Sequence, residues 1–527
     1  MNLATKLAMN LATKLAMNLE NGDMLENYVK KILSSRVYEL AQETPLTPAP
    51  LLSRRLGPQV FLKREDLQPV YSFKLRGAYN KISQLTDAQK AAGVITASAG
   101  NHAQGVAMAS KQLGIKAIIV MGRNTPSIKV NAVKDRGAKV ILHGDNYDEA
   151  SIHAKLLCKE QGLTFIPPYD DAEVIAGQGT IGLEIVNQHN GPIDAIFIPV
   201  GGGGLLAGVA AYVKHLHPKT RIIGVEVEGS NCMDAALRAG KRVKLPLETL
   251  DLFADGVSVA QAGLLPFKIA RKYVDEIVVV NIDEICAAIK DVFEDTRGVS
   301  EPAGALAIAG MKRYLADHPG LSSVVAIVSG ANVNFDRLRH ISERAEVGEA
   351  REAVLAVTID EAQGSFLKFC RALGKRSITE FNYRYADATG AHIYVGLGVA
   401  SKEDRLDVVE NLQSKGYLVF DMTDNEAAKM HVRHMVGGHR MQASSELLYR
   451  FEFPERPGAL LQFLAGLGAD WNITLFHYRN HGAAWGRVLV GFDAKPGDGK
   501  KLQKYLQRIG YRFWPEHDNP AYKLFLE

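Results

Sequence analysis

Ile193-Asp194-Ala195-Ile196-Phe197-Ile198-Pro199-Val200-Gly201-Gly202-Gly203-Gly204-Leu205-Leu206 is the stretch that decides the fold. Ile193 to Val200 reads as a strand with an unbroken apolar end, and the pattern from Leu205 to Leu216 reads as a helix. A strand apolar along its length is covered on both faces, as in a parallel sheet. Between the two lie four glycines, which let the backbone approach a ligand closely, while the N–H groups of the loop and of the helix start attract anions. The strand–glycine–helix order predicts a phosphate cradle; a flexible turn is the plainer alternative.

The same unit recurs on either side. Val94 to Ala97 is an apolar strand, Ser98-Ala99-Gly100-Asn101-His102 a tight turn, and Ala103 to Gln112 a helix of small residues. Strands over Lys116–Met121 and Lys139–Leu142 alternate with helices over Ile128–Asp135 and Tyr147–Gln161. Further strands are expected at Thr220–Val227 and at Ser323–Val328, the latter running into Ser329-Gly330-Ala331-Asn332. Val60 to Asp66 looks like a short strand ending in charge. Such alternation argues for an α/β fold, a parallel sheet wrapped by helices. In such sheets ligands sit beyond the carboxyl ends of the strands, where Ser98 to His102, the glycine loop and Ser329 all fall.

Two chemistries compete for the cradle. Gly202, Gly204 and Ala207 satisfy G-x-G-x-x-A, and Glu226 stands about where a ribose-binding acid would, which suggests a nicotinamide dehydrogenase. That signature usually opens a domain, however, and here it follows four strand–helix units. The other candidate is Lys74, set between Phe73 and the start of a helix. Burial lowers a lysine pKa, and a neutral amine can hold a carbonyl cofactor as a Schiff base. Taken alone, Ser72-Phe73-Lys74-Leu75 is more often a surface lysine with a snorkelling stem.

Four motifs in order weigh against that. Ser72 to Ala78, Ser98 to Gly105, Gly201 to Leu205 and Ser329 to Asn332 closely resemble the threonine dehydratases, pyridoxal-phosphate enzymes of the tryptophan-synthase β-like fold (fold type II). The resemblance runs from Tyr28 to the C-terminus. It implies that Lys74 holds pyridoxal 5'-phosphate and acts as the base. By the same resemblance Phe73 packs on the cofactor ring, Asn101 bonds the ring hydroxyl, Gly201, Gly202, Gly203, Gly204 and Leu205 hold the phosphate, and Ser329 bonds the ring nitrogen. Ser98, Ala99, Gly100, Asn101 and His102 would receive the substrate carboxylate. L-threonine, and L-serine with it, would lose water by α,β-elimination; threonine would give 2-oxobutanoate and ammonia. Related serine racemases carry a serine where this chain has Ala99, so racemisation is not expected. Ser230 and Cys232 stand where some relatives bind a divalent metal. They are poor ligands for a hard cation, so no metal is expected.

The C-terminal third repeats itself. Gly364-Ser365-Phe366-Leu367-Lys368-Phe369 answers Gly458-Ala459-Leu460-Leu461-Gln462-Phe463, and Ile378 to Arg384 answers Ile473 to Arg479. Each copy reads as β-α-β-β-α-β. A duplicated module that only oligomerises is one reading. The copies also resemble the ACT-like (ferredoxin-like, α+β) regulatory domains of the biosynthetic enzymes, which bind isoleucine as inhibitor and valine as antagonist. Tyr383, Tyr478 and Arg479 sit at matching points where an amino-acid carboxylate could be held. The resemblance further implies a homotetramer acting at the first committed step of isoleucine biosynthesis.

The expected boundaries are an N-terminal extension (1–27), a catalytic region of two α/β subdomains (28–340), a charged linker helix (341–352) and regulatory domains at 353–426 and 446–520. The extension contains MNLATKLA twice over, at Met1–Ala8 and Met9–Ala16, with no core to build. Lys+Arg 62 against Asp+Glu 58 is too balanced for a nucleic-acid or polybasic membrane binder. No apolar run reaches the roughly 18 residues of a membrane span. Cys158, Cys232, Cys286 and Cys370 form no C-x-x-C pair, which suits reduced thiols in a cytoplasmic protein. Two further readings stay open: a lyase or synthase of the same fold acting on another β-substituted amino acid, and an amino-acid sensor whose catalytic half is inert.

Overall fold

The computed structural model describes residues 24–123, 125–144, 147–335, 337–360, 362, 364–384, 391–425, 428, 446–454, 459–467, 471–479, 485–494 and 497–518. The MNLATKLA repeat and Gly458 lie outside them. The chain divides into two compact units, one ending at Ala345 and the other beginning at Glu346.

The first unit carries two sheets. The larger has the order β1 (Leu46–Pro48), β2 (Gln59–Arg64), β10 (Ser323–Val328), β7 (Ala195–Pro199), β8 (Arg221–Val227), β9 (Glu276–Val280). All its pairs are parallel except β1 with β2. The smaller is wholly parallel, in the order β5 (Lys139–Leu142), β4 (Ala117–Met121), β3 (Val94–Ala97), β6 (Thr164–Phe165). Every residue of β3, β7 and β10 is buried, as strands covered on both faces require. The turn after β3, the glycine loop after β7 and Ser329 after β10 leave the carboxyl ends of their strands.

β2 is the expected short strand ending in charge, and that charge is buried. Lys63, Arg64, Glu65 and Asp66 are all buried. Lys63 Nζ reaches Glu184 at 2.5 Å, Arg64 Nη2 reaches Asp66 at 2.7 Å, and Glu65 takes a bidentate pair of bonds from Arg76 at 2.8 Å. Lys63 and Glu65 find partners elsewhere in the chain and Arg64 pairs with Asp66 two residues on, and that pairing makes the burial tolerable.

The second unit is one antiparallel sheet of eight strands: β14 (Leu418–Asp421), β11 (Glu352–Ile359), β13 (Ala391–Gly398), β12 (Ile378–Arg384), β16 (Ile473–Arg479), β17 (Trp485–Asp493), β15 (Glu446–Pro454), β18 (Arg512–Pro515). Each half has the strand order of a β-α-β-β-α-β module. The halves meet edge to edge where β12 pairs with β16, with Asn382 opposite His477 at the centre. Pairing the two edge strands removes the unsatisfied backbone edge that each module would otherwise expose. Phe381 and Phe476 pack with Phe366 on the helix-covered face. The stretch expected as a linker is the end of the helix Arg337–Gly348 and the start of β11. Its Ile341 and Ala345 are buried in the core of the first unit.

Candidate active site

Lys74 opens the helix Lys74–Ser83. The segment before it runs antiparallel to the loop after β10: Ser72 bridges Gly330, Phe73 N donates to Ser329 O at 3.2 Å, and Ala331 N donates to Tyr71 O at 2.9 Å. Tyr71 sits at φ 54°, a left-handed conformation costly for a tyrosine, so these bonds hold a strained entry to the helix. Behind it the helix is gripped closely. A Cβ on Gly177 would stand 2.6 Å from Arg76 O, and only glycine lets the helix Ala172–Gln188 come so near.

The Lys74 amine donates to Pro168 O at 3.1 Å and lies 5.1 Å from the centroid of the Phe73 ring. Burial pushes it down to about 8, and the charge of Glu301 pulls the other way. A substantial share of the amine is therefore neutral in mildly alkaline solution, which a nucleophile needs.

Gly203 adopts φ 92° and precedes the helix Gly204–Leu216, whose first N–H groups have no partner within the helix. The glycine loop is packed rather than loose: the Tyr169 ring covers Gly202, and Val257 backbone would stand 2.9 Å from a Cβ on Gly201. After β3 the helix Asn101–Gln112 begins at the turn, with Ser98 Oγ accepting from Gly100 N at 3.3 Å. The turn from Ser98 to Asn101, Ala99 included, is only partly buried. His102 is not: burial pushes its ring down to about 3, helped by the Lys74 charge, so it is neutral. Its Nε2 contacts Ile166 O at 3.0 Å. A carbonyl only accepts, so Nε2 carries the proton and the ring faces the core; what His102 offers the turn is backbone N–H. Ser329 Oγ donates to Ala303 O at 3.2 Å.

Several neighbours escaped the sequence reading. Pro168 and Tyr169 touch the amine and the glycine loop, while the adjoining Asp170 and Asp171 cap the helices Leu264–Tyr273 and Ala172–Gln188. Pro167-Pro168-Tyr169-Asp170-Asp171 was the available signal, a rigid dipeptide followed by two capping residues. Glu301 was missed too; buried, it accepts from Asn101 Nδ2 at 2.6 Å. Glu226, the would-be ribose ligand, is already engaged: its two oxygens accept from Met233 N and Asp234 N at 2.9 and 2.8 Å. Ser230 Oγ donates to Asp251 O at 2.9 Å.

Residues 37–330 match the family of pyridoxal-phosphate dependent enzymes, and residues 343–432 and 437–526 each match the C-terminal regulatory domain of threonine dehydratase. The biosynthetic L-threonine dehydratase of Burkholderia multivorans is 53% identical over 505 residues, 95% of this chain and 99% of that one. The biosynthetic L-threonine dehydratase of Escherichia coli K12 is 53% identical over 502 residues, 95% and 97% of the two chains. The chain belongs to the biosynthetic L-threonine dehydratases. This dehydratase deaminates threonine and carries regulatory domains; the nicotinamide reading falls, as the engaged Glu226 already indicated. Among solved structures, the processed form of threonine deaminase isoform 2 from Solanum lycopersicum matches with a TM-score of 0.60 and 50% identity, covering 61% of this chain and 94% of that one. Serine racemase from Dictyostelium discoideum follows at TM-score 0.55 and 32% identity, over 59% and 99%.

The regulatory residues singled out from sequence are placed in part. Tyr383 lies opposite Phe476 and Tyr478 opposite Phe381 in the β12–β16 pairing. Both tyrosines are buried in the core of the sheet. The side chain of Arg479 lies outside the described residues.

Proposed function

We propose that Lys74 binds pyridoxal 5'-phosphate and is the base of the elimination, with Asn101, Ser329, Phe73 and the Gly201–Leu205 loop holding the cofactor. The observation that carries this reading is the pairing of Tyr71–Phe73 with Ser329–Ala331, which joins the lysine to the loop after β10. The residues fit the group. A partly neutral amine suits an aldehyde, a helix N-terminus behind a left-handed glycine suits a phosphate, and an aromatic face suits a pyridine ring. When bound, the cofactor withdraws electrons from the α-carbon of the substrate amine. Lys74, freed by the incoming substrate amine, would take the α-proton. N–H groups of the Ser98–His102 turn receive the substrate carboxylate. Ser329, a hydroxyl rather than a carboxylate, would not enforce a proton on the ring nitrogen, which would favour prompt loss of the β-hydroxyl as water, its proton supplied by the cofactor phosphate. Threonine then yields 2-oxobutanoate and ammonia, and serine reacts alongside it through the same β-hydroxyl.

The enzyme acts in this reading as a cytoplasmic homotetramer at the first committed step of isoleucine biosynthesis, inhibited by isoleucine and relieved by valine. Tyr383, Tyr478 and Arg479 are the proposed effector contacts. Supporting them is the placement of Tyr383 and Tyr478 one residue beyond the central Asn382–His477 pair in each copy. Inhibition from there requires isoleucine to prefer a low-activity state by roughly 1–3 kcal/mol of coupling. The deciding assay measures 2-oxobutanoate from threonine, with and without isoleucine, over a range of threonine concentrations. Relief by saturating threonine fits both readings, so the chain truncated after Glu352 separates them: an active fragment insensitive to isoleucine supports the remote site, and undiminished inhibition places isoleucine at Lys74 instead. Tyr478→Phe, which keeps the packed ring and removes only the hydroxyl, should blunt the isoleucine response and leave the uninhibited rate alone. A fall in the uninhibited rate removes the tyrosine from the effector site.

A further inference from the structure

Glu301 is a buried carboxyl beside Asn101 to which the reading above gives no part. It immediately precedes the helix Pro302–Asp317, where a side chain often turns back onto the helix's own N–H groups. No such cap bond forms here. The carboxyl faces Asn101 instead, 200 residues away in sequence, whose Nδ2 donates to Oε1 at 2.6 Å. Two glycines leave room for it: a Cβ on Gly330 would stand 2.5 Å from that oxygen, and one on Gly256 3.6 Å away.

The orientation of the Asn101 amide follows from its neighbours. Val70 O can only accept, and Asn332 Nδ2 donates to it at 2.8 Å. The same nitrogen donates to Asn101 Oδ1 at 2.7 Å. The Asn101 oxygen is thus satisfied and one of its N–H bonds lies on Glu301, leaving the other N–H to offer. An amide so held can only donate to a cofactor oxygen.

We infer that Glu301 is a positioning residue of this site: through the Asn101 carboxamide it sets how firmly the cofactor's ring oxygen is held and how that oxygen shares its proton. This rests on the placement of the ring hydroxyl at Asn101 proposed above. A negative charge one hydrogen bond behind Asn101 opposes negative charge on the ring oxygen, and a neutral carboxyl does not. The groups that act on Glu301 are Asp255, itself paired with Lys129 at 2.5 Å and with Arg337 at 3.9 Å, the Asn101 amide and the Asn332 N–H. Its own charge in turn raises the proton affinity of Lys74. Burial above all, with Asp255, pushes the carboxyl up to about 7, while Asn101, Lys129 and Asn332 draw it down. The charge behind Asn101 therefore changes within the working range of an enzyme.

The test compares holoenzyme of the wild type, Glu301→Gln and Glu301→Ala. Its readouts are the visible band of the bound cofactor against pH, the dissociation constant of pyridoxal phosphate, and kcat and KM for threonine across pH. Glutamine keeps the size and an acceptor for Asn101 but cannot ionise. Glu301→Gln is expected to bind cofactor within about two-fold of wild type and to lose the spectral and kcat inflection near neutrality. Glu301→Ala is expected to weaken cofactor binding by about ten-fold, with KM little changed. A Glu301→Gln titration superimposable on wild type overturns the inference, as does undiminished cofactor affinity in Glu301→Ala. Should the alanine variant not fold, the glutamine titration decides alone. Lys74→Ala is read beside them. A visible band that survives there removes the site reading itself, whereas its loss there, with unchanged Glu301 variants, removes only the part given to Glu301.

Discussion

Two buried polar sets flank the first turn of the Lys74–Ser83 helix, and they are settled in different ways. Behind the helix Arg76 bonds Glu65 and Glu184, Lys63 bonds Glu184, and Thr44, Thr180, Tyr38 and Gln188 fill further positions. Two cations meet two carboxylates, and Arg76 is held firmly in its charged form by both. In front, Glu301 meets amides: Asn101, and Asn332 beyond it. Opposite charges at contact lock each other's protonation. Amides solvate a carboxyl without fixing its charge. The first arrangement suits a support, and the second suits a site where a proton must come and go.

The largest expected effect is on the front side. Lys74→Ala should lower kcat by at least about 10³-fold and abolish the visible band of the bound cofactor. Thermal unfolding should change little, because Lys74 takes no part in the Arg76 set. A variant that keeps band and turnover would break the assignment. Arg76→Met is the mirror experiment. It leaves Glu65 and Glu184 buried with one cation between them, at a cost of about 3–5 kcal/mol, read as a fall in the unfolding midpoint. A variant as stable as wild type would show that the rear set is not the support described.

The front side was largely legible in the sequence and the rear was not. Lys74, Asn101, the four glycines and Ser329 stand in four motifs whose order is itself the signal. Lys63-Arg64-Glu65-Asp66 reads only as charge at a strand's end, because Arg76 and Glu184, the partners of Lys63 and Glu65, are remote and charge carries no periodicity to announce burial. Glu301 sits in Ser300-Glu301-Pro302, which looks like an ordinary helix start; only the fold shows its carboxyl turned away from its own helix. In the regulatory half the repeat foretold two modules but not their union into one sheet. Edge pairing of β12 with β16 needs two compatible edges and leaves no residue pattern of its own.

A pH series sharpens the contrast. The Glu301 carboxyl goes from an ordinary value near 4.5 to about 7 in the fold, so the folded state holds the extra proton between those values. Its stabilising contribution is complete below about 4.5 and is lost as pH rises through about 7. Over pH 5 to 8 the unfolding free energy of wild type should fall relative to Glu301→Gln by roughly 2–3 kcal/mol, measured by denaturant titration of the protein without cofactor. A flat difference would mean that the amides fix the charge after all. The rear set should give no such slope from Arg76, which stays protonated throughout.

The smallest effect lies in the regulatory sheet, where buried carboxylates meet hydroxyls. Thr379 Oγ1 donates to Glu352, at the start of β11, and Thr474 Oγ1 donates to Glu446, at the start of β15. Each threonine falls at the register shift of its strand, between Ile378 and Glu380 or between Ile473 and Leu475. Opposite stands a glycine in each copy: a Cβ on Gly396 would lie 3.0 Å from Glu352 Oε1, and one on Gly491 2.6 Å from Glu446 Oε1. The same three residue types at corresponding places in both copies suggest a register lock kept through the duplication. A hydroxyl is a neutral donor like an amide, but a valine of the same shape can replace it, leaving the carboxylate one bond short. Thr379→Val and Thr474→Val should each cost about 1 kcal/mol, seen as faster amide exchange along β11 and β15 respectively, with basal activity unchanged. Equal losses would mean that both copies still use the lock. A loss in one copy alone would mark the other as the half free to shift its strands, and would direct the search for an effector-driven movement there.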